Sequence, residues 1–309
     1  MWHYVFREAP LRIHLLLLAA ILLLFWVLSS IAATIVLASA GYDLTVLQKI
    51  SSGEAGRYVD VLQMLQIIQS VCLFVLPPFV YAYLVSGNIS DSLCIKVKPN
   101  IAGILLSIAL LFFSVPLINY AGKLNSQIHL PDFMKEIDAW MQEKENFANE
   151  VSSAFMNRPA SKLPINLLMI AVIPALGEEL LFRAVVQQLV IRLVRNMHGG
   201  IWITSVLFGA LHLQFFTFLP RIILGSLFGY LLEYSRSLWY PILVHFLNNT
   251  MAILFAYFGN FFSGMQQLEK MGTEKPELPI VLLSILLTLM TLWIFRKSTL
   301  QSRPYSTDT

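Results

Sequence analysis

Apolar residues run along this chain in long, almost unbroken blocks. They neither alternate nor recur on a single narrow face. Eight blocks stand out, at 14–38, 61–86, 101–120, 163–186, 200–218, 221–236, 238–258 and 278–296. Most approach the roughly 20 apolar residues that a helix needs to cross the hydrocarbon core of a bilayer. Blocks this continuous lack the period-two alternation of a membrane barrel strand. The pattern predicts an all-α membrane protein, a bundle of about eight transmembrane helices around a buried polar cavity. The fifth and sixth blocks meet around Leu219-Pro220-Arg221, which predicts a tight helical hairpin.

The connection between the third and fourth blocks has a different texture. Phe133, Ile137, Trp140, Met141 and Phe147 recur at near-helical spacing among Lys135, Glu136, Asp138, Glu143, Lys144 and Glu145. This predicts an amphipathic helix opening near Pro131-Asp132. Amphipathicity alone favours a helix lying on the membrane surface over a lid across a substrate entry gap. The chain then divides into N-terminal helices with this connection (1–159), a helical core (160–258), and a final helix with its tail (259–309). No internal repeat is visible, which argues against an inverted-repeat transporter.

Composition agrees with the pattern. The chain is 57% hydrophobic and 13% charged, about half the charged fraction of a soluble domain. A net charge of +3 is too small to suggest nucleic acid, so membrane lipid is the expected surrounding partner. Cys72 and Cys94 show no metal-site or redox spacing. Cys72, inside an apolar block, is expected in the core. Ala38-Ser39-Ala40-Gly41 resembles a signal-peptidase site, but the apolar stretch before it exceeds the roughly 7–15 residues of a signal segment. An uncleaved first helix is expected. Basic residues divide equally between the two sides of an eight-helix bundle. Several on one side (Lys123 to Lys162) lie in the long connection, far from helix ends, where the positive-inside bias fades. Discounting them predicts a multi-pass protein of the plasma (inner) membrane with cytoplasmic termini.

Against this oily background a few polar residues are conspicuous, because charge within hydrocarbon is costly and usually marks a functional interior. In Glu178-Glu179-Leu180-Leu181-Phe182-Arg183, adjacent carboxylates point about 100° apart on a helix. Glu179 and Arg183 stand one turn apart on one face, positioned for an ion pair. Glu178 is left to face a cavity as a general base. His212 closes Phe208-Gly209-Ala210-Leu211-His212; a neutral imidazole there can accept a proton or ligate a metal. His245 and Asn249 share a face in His245-Phe246-Leu247-Asn248-Asn249. An amide so placed can donate to a tetrahedral oxyanion, whereas Asn248, one position off, is expected to point elsewhere. Each group also has a plainer reading as a buried salt bridge or interhelical hydrogen bond. Their occurrence on three separate helices shifts the balance toward a buried hydrolytic site. With vertical helices, these boundaries place Glu178 and His245 nearer the cytoplasmic face and His212 nearer the other. There is no His-Glu-x-x-His, Gly-x-Ser-x-Gly or Gly-x-Gly-Asp motif. His3, His14, His129 and His198 fall near termini or loops and are expected to touch water.

At these residues the chain resembles the CPBP family of intramembrane proteases, also called the CAAX-processing and bacteriocin-processing or Abi family. That family carries EExxxR, FxxxH and HxxxN motifs on separate transmembrane helices, and here they stand in the same order across roughly residues 160–255. The resemblance implies an eight-helix bundle with a conical cavity open to the cytosol. It implies an endopeptidase acting on membrane-associated, hydrophobic or lipidated peptides. Glu178 and His212 would activate water, and His245 and Asn249 would stabilise the oxyanion. The resemblance leaves two mechanisms open. One is a metalloprotease in which Glu178, His212 and His245 hold Zn²⁺; the other is a metal-free, glutamate-dependent reaction. A non-catalytic membrane scaffold or bacteriocin self-immunity protein of the same fold is the alternative function. A proton-coupled carrier, using Glu178 and the histidines as a relay, ranks below it.

Overall fold

A computed structural model describes residues 5–128, 130–259, 263–273 and 277–301. His3 and His129, which entered the sequence reading, lie outside the described residues. The described residues are mostly helical, with no strand among them. Among the described residues, seven helices are long and apolar enough to cross a membrane: α1 (Leu11–Ser39), α2 (Val59–Val85), α3 (Ile101–Ser126), α5 (Ala160–Val194), α7 (Phe215–Ser235), α8 (Trp239–Phe258) and α10 (Leu278–Thr299). The connecting helices are α4 (Lys135–Met156), α6 (Met197–Leu211) and α9 (Ser263–Lys270). The protein is an integral, multi-pass membrane protein.

α6 departs from the expected fifth span over 200–218. It has 15 residues, about 22 Å at 1.5 Å per residue, which is short of the ~30 Å hydrocarbon core. It ends because Leu213 takes a left-handed conformation (φ +52°), which a helix cannot continue through. The turn of the hairpin is therefore at 212–214, and Leu219-Pro220-Arg221 lies inside α7, just after its opening 3₁₀ segment Phe215–Thr217.

Bilayer-facing surfaces are apolar, as they must be without water to solvate them. On α1, Leu23, Trp26 and Ile31 are exposed, as are Leu286 and Trp293 on α10. Proline does not break these helices, because neighbours satisfy the freed backbone groups. Pro116 interrupts α3, and there the Ser284 hydroxyl of α10 donates to Phe113 O and accepts from Leu117 N at 3.2 Å.

Small residues set how closely the core helices approach. On α7, a Cβ at Gly229 would lie 2.6 Å from Gln187 Oε1 and 2.8 Å from Ile201 Cγ2, so α7 presses against both α5 and α6. A Cβ at Gly177 would meet Phe74 Cβ at 2.8 Å, bringing α2 against the glutamate-bearing part of α5. Asn166 is fully buried and ties four helices. It accepts from Gln63 Nε2 (2.8 Å) and donates to Phe155 O (2.6 Å) and Tyr257 Oη (2.9 Å).

Two minor expectations change. His14 does not touch water: it is buried in α1 and its Nδ1 lies 2.9 Å from Tyr81 Oη, the hydroxyl giving it an internal partner. Cys72 is half-buried, not in the core, and both cysteines are free. His198 is exposed as expected, with Tyr230 Oη at 2.8 Å.

Candidate active site

The site is built outward from α5. Its backbone widens into π turns at Leu167–Val172 and again at Glu179–Val186. Such turns shift carbonyls and side chains off the α register and recur at functional sites. Glu179 and Arg183 are both fully buried, with Arg183 Nε 3.1 Å from Glu179 Oε2. Arg183 has its guanidinium 4.9 Å from the Phe208 ring centre and 5.9 Å from that of Phe228. Its charge is thus held by one carboxylate and two aromatic faces. A Cβ at Gly225 would lie 3.2 Å from Ser205 Cβ, so α7 and α6 approach closely behind the ion pair.

The second oxygen of Glu179 reaches across to α8. His245 Nδ1 lies 2.9 Å from Glu179 Oε1. An ionised carboxylate only accepts, so Nδ1 carries the hydrogen and the ring orientation is set. The other ring nitrogen, Nε2, faces Glu178 Oε2 at 3.8 Å. That is too long for a direct hydrogen bond and is a separation that a bridging molecule can close. Phe228 stacks on the same imidazole with ring centres 5.3 Å apart.

His212 sits at the end of α6, part-way across the bundle. Its Nδ1 is 2.8 Å from Phe208 O. A peptide carbonyl accepts, so Nδ1 donates and Nε2 is left as the free nitrogen of a neutral ring. The short α6 also removes the expected mismatch in depth. Glu178 lies 16 residues before the end of α5 at Val194, about 24 Å, close to the ~22 Å at which α6 ends. His245 reaches the same level from only six residues into α8. Ser237 and Leu238 are fully buried, and Leu238 N–H donates to Cys94 O at 2.8 Å.

Asn249 Nδ2 donates to Ile170 O at 3.0 Å, a carbonyl in the first π turn of α5. Its Oδ1 accepts from Asn248 Nδ2 at 3.3 Å. Asn248 does not point elsewhere, as helical spacing suggests. Both amides line the same hollow as His245.

That hollow is a cavity of about 730 Å³ onto which Glu178, His212, His245, Asn248 and Asn249 all open. Glu179 and Arg183 lie behind its wall. The second half of α4 closes it on one side through Phe147, Ala148, Val151, Ser152, Phe155 and Met156. The amphipathic helix therefore does more than lie on a membrane surface. It is fastened where Trp140 packs on Phe215 (ring centres 5.2 Å apart) and Glu145 accepts from Phe216 N at 3.4 Å. α4 connects the far ends of α3 and α5, so the cavity reaches toward the side opposite the start of α1 and the end of α10. A cavity open to the cytosol and cytoplasmic termini are therefore incompatible expectations.

Three features escaped the sequence reading. Gln187 continues the Glu179–Arg183 stripe by one more turn and donates to Glu233 Oε1 at 3.0 Å. Gly225 and Gly229 form a small-xxx-small pair on α7. Arg221 lines the cavity. The first two were signalled by four-residue spacing; Arg221 looked like a loop residue.

Among the described residues, no three His, Cys, Asp or Glu side chains are grouped closely enough to hold an ion. Glu178, His212 and His245 share the cavity without forming such a triad.

A family model described as Rce1-like, type II CAAX prenyl endopeptidase, matches residues 160–251. No curated protein and no solved structure matches the chain.

Proposed function

On the premise that residues 160–251 form the Rce1-like domain of a CAAX-type intramembrane protease, we propose that the chain hydrolyses a peptide bond inside its cavity. Glu178 is the general base and the substrate is a hydrophobic or lipidated peptide. One observation carries the reading. Of two neighbouring carboxylates, Glu179 is withdrawn into an ion pair, while Glu178 opens on the cavity beside two imidazoles and two amides.

In this mechanism a water molecule sits between Glu178 and the free Nε2 of His212. Glu178 takes its proton as the water oxygen attacks the scissile carbonyl carbon. The carbonyl oxygen becomes an oxyanion. Asn249 has a second amide hydrogen beyond the one given to Ile170, and it donates to that oxygen. His245, held in orientation by Glu179, lines the same pocket beside that oxygen. Glu178 then returns its proton to the leaving nitrogen, and the C–N bond breaks. Arg183 acts through Glu179 and is a positioning residue. The apolar lining from Phe147, Val151, Phe155, Met169 and Ile253 favours an oily substrate. No step passes through a metal, because the three candidate ligands are not grouped for one.

The test uses the purified protein in lipid nanodiscs with hydrophobic and lipidated peptides. Wild type should cleave and Glu178→Ala should not, at an unchanged melting temperature. Full activity in that variant ends the assignment. Tight peptide binding without cleavage by wild type would favour a scaffold or self-immunity protein.

A further inference from the structure

A second cavity, of about 520 Å³, lies toward the other end of α5 and shares no lining residue with the first. Its wall brings together Arg7 from before α1, Arg192 from the last turn of α5 and Arg236 from just beyond α7. Arg192 follows Glu178 by 14 residues, about 21 Å along the helix. α1 starts at this level, and α2, α5 and α7 end at it. The cavity therefore sits at one edge of the hydrocarbon, on the side where α1 begins and α10 ends.

The three cations are not equivalent. Arg236 Nη1 lies 3.3 Å from Glu233 Oε2. Asp91, which also lines the cavity, is paired with Lys96 at 3.0 Å. Arg7 and Arg192 make no hydrogen bond and no ion pair among the described residues. The charge of Arg192 reaches His14 and Tyr81, but those two side chains bond each other. The Ser92 hydroxyl, half-buried on the same wall, also has no hydrogen-bond partner among the described residues. Two guanidinium groups and a hydroxyl thus meet at one hollow with their donors unused.

Arginines at helix ends help to decide which way a chain inserts. That role requires only the correct side of the membrane. It does not require residues far apart in the chain to converge on one hollow. A guanidinium presents paired donors that match phosphate oxygens. At the hydrocarbon edge the concentrated anion is the phosphate of an acidic phospholipid, and basic pockets between transmembrane helices hold such headgroups. A zwitterionic headgroup would bring its own cation against the same arginines.

We propose that this cavity binds the phosphate headgroup of one anionic phospholipid. Arg7 and Arg192 contact the phosphate oxygens, and Ser92 donates a further hydrogen bond. Arg236, neutralised by Glu233, forms part of the wall. The bound lipid ties the segment before α1 and the α2–α3 connection to the end of α5, the helix that carries Glu178. The site does not depend on the protease reading.

The experiment counts lipids bound to the purified full chain in detergent micelles by native mass spectrometry, with titration for affinity. Phosphatidylglycerol should bind saturably, as one lipid per chain. It should bind about tenfold or more tightly than phosphatidylcholine with the same acyl chains, the size of a charge-assisted hydrogen bond. The double change Arg7→Gln with Arg192→Gln should remove that preference, and Arg7→Gln alone should weaken it. Lys98→Gln with Lys297→Gln changes two exposed cations on the same side that do not line the cavity, and should leave the preference intact. Inorganic phosphate and glycerol 3-phosphate in large excess should not displace the lipid. Equal binding of the two lipids, binding without saturation, or a preference that survives the double change overturns the proposal. An equal loss in the Lys98 and Lys297 variant would assign the effect to general surface charge and overturn it too. Displacement by inorganic phosphate would make this a site for a free anion and overturn the lipid assignment. If the double variant does not fold, the lipid comparison on wild type and on Arg7→Gln decides the matter.

Discussion

The imidazole of His245 lies between the two neighbouring glutamates, with Nδ1 2.9 Å from Glu179 Oε1 and Nε2 3.8 Å from Glu178 Oε2. One carboxylate makes a full hydrogen bond that orients the ring. The other stops short of one, leaving a gap beside the cavity. Two chemically identical side chains thus take different roles because one is paired with Arg183 and the other is not.

Removing the cavity-facing carboxylate should therefore affect chemistry and spare the fold. Glu178→Gln is expected to lower the cleavage rate by about 10²–10⁴-fold with a melting temperature within error of wild type. Rate and thermal unfolding measured on the same nanodisc preparation check this.

Glu179 should behave in the opposite way. Glu179→Ala strands Arg183 in a fully buried position, where breaking a buried pair costs about 3–5 kcal/mol. It should markedly lower the unfolding temperature, and activity should fall with it. The double change Glu179→Leu with Arg183→Met should recover much of the stability, because buried pairs are often replaceable by apolar residues. Activity should not return, since His245 loses the group that orients it. Recovery of cleavage in the double variant would contradict the positioning role.

Gly229 is a packing position without chemistry. A methyl group there would come 2.6 Å from Gln187 Oε1 and 2.8 Å from Ile201 Cγ2. Gly229→Ala is expected to destabilise by about 1–3 kcal/mol, the usual cost of overpacking. Thermal unfolding is the measurement, and an unchanged transition would show that α7 is less tightly seated than described.

If the glutamate acts without a metal, prolonged dialysis against a strong chelator should leave cleavage unchanged, and added Zn²⁺ should not raise it. Loss of activity on dialysis with recovery on Zn²⁺ would show that Glu178, His212 and His245 regroup around an ion.

The order of crossings places α4 and the loop before α3 on opposite sides of the membrane. With Cys72 and Cys94 replaced, Gln142→Cys and Lys98→Cys should react with an impermeant thiol reagent from opposite sides of sealed vesicles. The side that labels Gln142→Cys is the side toward which the cavity reaches. Labelling of both from one side would refute the crossing count.

The length and continuity of the apolar blocks already determined that this is a helical membrane protein, since nothing else satisfies the backbone in hydrocarbon. Four-residue spacing on single helices also brought out Glu179 with Arg183, His212 with Phe208, and His245 with Asn249, because such pairs depend only on local helical geometry. What lay beyond reach depended on contacts far apart in the chain. Arg221 read as part of a loop because the end of α6 is set by a left-handed turn at Leu213. α4 read as a surface helix because the cavity it walls is assembled from α5, α7 and α8. Asn248 faces the cavity because helices placed around it leave space on two sides of α8. The pairing that separates the two glutamates, Glu179 with Arg183, lies within α5 and was legible there. Tertiary packing decided the rest: α7 and α8 bury that pair and bring His245 and the hollow to Glu178.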